Sequence, residues 1–207
     1  MKTKLTIALC GAAALLIYSA CTSEASDEKI KEPNAITPVA NYGGFESQVK
    51  WGEHLVTICG CNDCHTPKKM GPEGPEPDMS LMLSGHPSQT PPPPMDQKEA
   101  AEKGLVVTQT LTGWTGAWGT TYAVNLTPDS TGLGAWQEGQ FMKAIREGKW
   151  MGLDGTRPIM PPMPWNMYRN MTDDELKAIF SYLRSIPPVH NIVPQAKLVP
   201  PPPPAKS

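Results

Sequence analysis

The chain is short of several things, and each shortage closes off a class of function. Its basic and acidic residues nearly balance, 18 against 20, so it has no surplus of positive charge for nucleic acid phosphates or an anionic lipid surface. No stretch alternates strands with helices as a parallel α/β sheet would, which removes the setting that a thioredoxin-like dithiol needs. There is no internal repeat, and no apolar run is long enough to span a bilayer as a mature helix. Phenylalanine is scarce at 3 residues and histidine at 4, whereas proline reaches 24 and methionine 11.

The five cysteines are not scattered. Three fall in Cys59-Gly60-Cys61-Asn62-Asp63-Cys64-His65, and within it Cys61-x-x-Cys64-His65 is the attachment signature of a c-type haem. One helical turn sets two thiols where they add to the two vinyl groups of a haem. The next residue, His65, then presents its imidazole to the iron as proximal ligand. With 5 Cys and 4 His in 207 positions, chance supplies only about 0.002 such patterns. Zinc is a competing use, but it takes four ligands, commonly as two separated pairs. Cys59, Cys61, Cys64 and His65 would close only a cramped loop. The signature occurs once, so one covalently attached haem c is expected, with Cys59 left as a free thiol at a helix end.

Residues 1–20 read as an export signal. Lys2 and Lys4 form a basic region, Leu5 to Ile17 an apolar core, and Tyr18-Ser19-Ala20-Cys21 ends it. Small residues before a cysteine look like a lipobox, which would make Cys21 the lipid-bearing N-terminus. Tyr18 departs from the aliphatic residue usual there, and ordinary cleavage nearby is the alternative. Lys2 and Lys4 leave with the signal while every acidic residue stays, so the formal charge moves from −2 to −4. That argues against nucleic acid as a partner and leaves room for a basic protein. Residues 21–40 are polar and lack aromatics, a flexible tether. Residues 41–190 are the expected folded domain, and 191–207 a proline-rich disordered tail. The expected location is outside the cytoplasm, on the periplasmic side, lipid-anchored to a bacterial membrane through Cys21.

Helical periodicity marks the domain. Trp51, Leu55 and Ile58 recur at i, i+4 and i+7, widened by Val49 and Val56, and predict a helix from about Glu46 into Cys61. A second helix is predicted from about Gln137 to Glu147, with Phe141, Ala144 and Ile145 inside. A third opens on a Thr172/Glu175 capping box and carries Leu176, Ile179, Phe180 and Leu183 on one face. Between Thr66 and about Pro94 the density of Pro and Gly predicts irregular chain, and a short helix is predicted over Gln97 to Lys103. Val106 to Thr112 is β-prone, but the expected fold class is all-α. His86 reads as a loop histidine and His54 as a solvated one.

An iron held by His65 alone would be open. The chain offers Arg157-Pro-Ile-Met160-Pro-Pro-Met163-Pro-Trp165, where a proline-stiffened loop presents two thioethers, Met160 and Met163. Histidine–methionine ligation raises the reduction potential and suits electron transfer. Trp114, Trp118, Trp165 and Arg157 are candidates to pack on the haem or bond its propionates, and ordinary packing is the equal alternative for the tryptophans.

These residues carry a resemblance. Gly60 to Pro67, Asn125-Leu-Thr-Pro-Asp129, Phe141 to Gly148, Pro162-Met163-Pro164-Trp165, Met171 to Leu176 and Leu183 to Pro188 resemble the class I cytochromes c. Within that class the chain is similar to the cytochrome subunits of bacterial alcohol and gluconate dehydrogenases. The resemblance implies a class I cytochrome c fold whose first and last helices cross beside the haem. Here that fold would carry a long Pro/Gly-rich insertion between the haem motif and the second half. It implies Met163 as distal ligand, with Met160 in reserve. Those subunits usually carry three haem domains, and this chain has one signature.

The function expected is a non-enzymatic carrier of single electrons, between a dehydrogenase or quinol-oxidising complex and a terminal acceptor such as an oxidase. The alternatives are a haem c peroxidase-like enzyme, needing an acid–base group such as His86 on an open distal side, and a haem-based gas or redox sensor.

Overall fold

The computed structural model describes residues 41–200. The stretches expected to be signal (1–20) and tether (21–40), with Cys21, and the last residues, 201–207, lie outside them. No helix among the described residues is long and apolar enough to cross a membrane.

The frame is a crossing of the first and last long helices, as the resemblance implies. Helix α1, Gln48–Ile58, starts where the Ser47 hydroxyl accepts from the Lys50 backbone N–H. Helix α6, Asp173–Ser185, starts on the capping box read from the sequence. Their contact is centred on Gly52. A Cβ there would collide with the Ala178 carbonyl oxygen and lie 2.8 Å from Cβ of Tyr182. The predicted apolar stripe of α1 is therefore only partly right. Gly52, Leu55 and Val56 face inward, while Ile58 is 63% exposed, because the close approach, rather than side-chain hydrophobicity, fixes the inner face.

The predicted helix also does not run into Cys61. It ends at Cys59 because Gly60 adopts φ +67°, a left-handed conformation favouring glycine. Helix α2, Cys61–His65, starts on the far side of this glycine. Helix α3 covers Gln97–Lys103 and α4 Glu138–Glu147, both where predicted. In α4, Phe141, Ala144 and Ile145 face the core, and Phe141 meets Phe180 of α6 with ring centroids 5.4 Å apart. A one-turn helix, α5, spans Trp165–Tyr168.

The all-α expectation is overturned by two antiparallel sheets. Strands β1, Lys68–Gly71, and β2, Gly74–Pro77, form a hairpin inside the segment predicted to be irregular. A two-stranded ribbon is all edge, so Pro75 and Pro77 fit where they would break a central strand. The second sheet has the order β3-β4-β5-β6, with β3 at Val107–Thr108, β4 at Gly113–Gly116, β5 at Gly119–Tyr122 and β6 at Lys197–Leu198. Its inner strands, Gly-Trp-Thr-Gly and Gly-Thr-Thr-Tyr, are threonine- and aromatic-rich, a composition that packs well on a pleated surface.

Residues 191–200, read as the start of the tail, run back onto this sheet. Thr120 pairs with Lys197 and Gly119 with Leu198. The Asn191 amide donates to the carbonyls of Ser84 (2.7 Å) and His86 (2.9 Å).

Candidate functional site

Helix α2 is a single turn, too short to persist alone, and its surroundings hold it. Thr66 follows it fully buried, accepting from the Leu83 N–H at 3.0 Å and donating to the Asn62 side-chain oxygen at 2.8 Å. The Lys68 ammonium donates to the carbonyls of Asp63 (2.9 Å) and Thr66 (2.5 Å), capping the turn with the charge sign that suits a helix C-terminus.

His65, 8% exposed, sits at the end of this turn. Its Nδ1–H donates to the Val124 carbonyl at 2.8 Å, which fixes the tautomer and leaves the Nε2 lone pair as the donor. This is the arrangement of a metal-ligating histidine with its outer-shell partner. Burial lowers the pKa of the ring, keeping it in the neutral, ligand-competent form. Val124 is a backbone acceptor, so no sequence signal marks it.

Cys61 and Cys64 are half-buried free thiols one turn apart. Burial pushes Cys61 up to about 12 and raises Cys64 as well. These surroundings favour an uncharged sulfur, as a thioether is, over a thiolate. Among the described residues no three His, Cys, Asp or Glu side chains converge to hold a metal ion, so Cys59, Cys61, Cys64 and His65 do not make the zinc site weighed from the sequence. Thiols and imidazole thus fit a covalently held haem.

Cys61 and Met163 are both partly buried and both pack against the one hydrophobic core, which includes Leu55, Val56, Leu176, Ile179 and Leu183. Met160 is half-buried but is not among the residues packed on that cluster. Met82, Leu126, Trp136 and Met142 extend the same partly open apolar wall. Tyr168, after the Met163 loop, donates to the Cys59 carbonyl at 2.6 Å and so ties the chain after that loop to the end of α1.

The other candidates fall elsewhere. His86 is fully buried, with Nδ1 2.9 Å from Thr112 Oγ1 and Nε2 3.1 Å from the Thr90 carbonyl. Both ring nitrogens are engaged, so His86 is a structural post and not an acid–base group on an open face. His54 is exposed beside Phe45. Arg157 lies 3.7 Å over the Trp150 ring, and the Trp118 indole donates to Thr121. Trp114 is buried in β4, and Trp165 packs against Gly148. Cys21 lies outside the described residues.

A one-turn Cys-x-x-Cys-His helix with a neutral, backbone-anchored imidazole and a methionine loop on the same core defines a covalent haem protein. The comparisons agree: the cytochrome c family model matches residues 49–187, and the chain belongs to that family. It therefore carries covalently bound haem c and is an electron-transfer cytochrome. It is 40% identical over 78 residues to a nicotinate dehydrogenase subunit of Pseudomonas putida, covering 37% of this chain and 6% of that one. It is 34% identical over 82 residues to the fructose dehydrogenase cytochrome subunit of Gluconobacter japonicus (39% and 16%). Over 80 residues it is 34% identical to the gluconate 2-dehydrogenase cytochrome c subunit of Pantoea cypripedii (38% and 16%). The matched stretches span 6% to 16% of these relatives' lengths.

Proposed function

We propose that this chain is a single-haem c-type cytochrome that relays electrons outside the cytoplasm, from a dehydrogenase or quinol-oxidising complex to a terminal acceptor. Cys61 and Cys64 form the thioethers, His65 is the proximal ligand and Met163 the distal one. When bound, the haem supplies a one-electron couple that the methionine sulfur shifts to higher potential. Lipidation at Cys21 would keep the domain on the periplasmic side of a membrane. The names of its relatives, cytochrome subunits of dehydrogenases among them, support a dehydrogenase as the electron donor.

The observation that carries this reading is His65, fixed through Nδ1 by Val124, at the end of a turn whose Cys61 packs on the same core as Met163. The protein's work is to orient the imidazole, fill the site and exclude water, which suits electron transfer better than oxygen chemistry.

The test is spectroscopic. In the oxidised haem-loaded chain, Met163→Leu should abolish the methionine-to-iron charge-transfer band and lower the potential, while Met160→Leu should leave both in place. The reverse pattern would transfer the role to Met160. Affinity purification from membranes, with mass analysis of the N-terminus, tests the donor complex and the acylation of Cys21.

A further inference from the structure

The four-stranded sheet is the part of the domain that a helical haem protein does not need. Its strand β5 and the residues leaving it nevertheless meet both candidate axial elements. Three residues beyond Thr121, Val124 holds His65. Thr121 itself, buried in β5, reaches the methionine loop: its hydroxyl donates to the Pro161 carbonyl at 2.8 Å. The Trp118 indole N–H donates to the same hydroxyl at 3.2 Å. The polarity of this relay is forced, because an indole N–H can only donate and a carbonyl can only accept.

Besides the packing of Met163 on the core, the loop has few bonds to hold it. Residues 161, 162 and 164 are prolines and have no N–H. Upstream, the Ile159 N–H bonds the Gly148 carbonyl at 2.7 Å; downstream, Tyr168 bonds Cys59. Among the described residues, the stretch 160–163 makes one hydrogen bond to the rest of the chain, and it is the one from Thr121.

We propose that Thr121, oriented by Trp118, is a positioning residue for the distal sulfur: it clamps the Pro161 carbonyl and so sets how firmly Met163 stays on the iron. This rests on the reading of Met163 as distal ligand. The clamp bonds the loop's backbone at Pro161, two residues before Met163. It acts by restricting a loop that would otherwise swing its sulfur away and admit a competing ligand.

Imidazole, which competes with a methionine for ferric iron, reads this out. In the haem-loaded full chain, Thr121→Val keeps the shape and removes the hydroxyl, and imidazole should bind about fivefold more tightly, the scale of one lost hydrogen bond. Thr121→Ser should restore wild-type affinity. Trp118→Phe, which removes only the orienting donor, should strengthen imidazole binding about twofold. Wild-type affinity in Thr121→Val, or no rescue by Thr121→Ser, overturns the inference. If Thr121→Val yields no haem-loaded protein, unchanged affinity in Trp118→Phe overturns it. A wild-type protein lacking the methionine-to-iron band removes the Met163 reading, and the inference with it. A wild-type band lost in Met163→Leu together with a silent Thr121→Val removes the inference alone.

Discussion

Tyr168 donates its phenolic proton to the carbonyl of Cys59 at 2.6 Å, so the turn entering the haem motif is tied to the helix that leaves the Met163 loop. Burial pushes the phenol up to about 12, so it stays a donor throughout the neutral range. Tyr168→Phe should cost about 1 kcal/mol, the usual net worth of one such bond. Chemical denaturation of the haem-loaded protein measures it, and an unchanged midpoint would show that the contact carries no weight.

Gly52→Ala should be severe. The added methyl meets the Ala178 carbonyl and Cβ of Tyr182, which is backbone on one side and an atom bonded directly to the backbone on the other, and neither can swing aside. Overpacking of this kind costs about 1–3 kcal/mol. A fall in thermal midpoint of several degrees is expected, and a wild-type midpoint would mean that α1 and α6 cross less closely than described.

Acid should weaken the fold through His86. Burial lowers its pKa in the folded state, so the unfolded chain takes up its proton first, at about pH 6.5. The sign follows: the contribution is complete above that value and is lost as pH falls below it, until the folded pKa is passed. Urea midpoints from pH 7.5 down to 5 should decline, and less steeply in His86→Gln. Equal slopes in the two proteins would count against this account.

Asn191→Ala should cost about 2 kcal/mol, because two carbonyls, of Ser84 and His86, lose the amide that serves them. Denaturant titration checks it. A neutral outcome would mean that the 191–200 segment contributes nothing to stability.

The sequence makes the haem chemistry and the helices legible and the sheet illegible, for identifiable reasons. A covalent signature is local, so Cys61, Cys64 and His65 can be read together. The capping box at Thr172 and Glu175 is likewise a local pattern. Strands of two to four residues are too short to show a period, and Gly113-Trp-Thr-Gly116 looks like a glycine turn until Thr121 and Tyr122 are set opposite it. Lys197 reads as tail because its partner, Thr120, lies far back in the chain. The acceptor at Val124 is backbone and has no signature. The break at Gly60 is readable in principle, since glycine after a helical run signals a C-terminal stop, but the periodicity of Trp51, Leu55 and Ile58 outweighs it.

The crossing of α1 on α6 also bears on the order in which the molecule can be made. A chain emerging from its N-terminus presents Cys61, Cys64 and His65 well before Ala178 exists to receive Gly52. Until then α1 lacks the partner against which Leu55 and Val56 are buried. The inner face of the first helix is therefore completed only by a helix more than a hundred residues further along the chain.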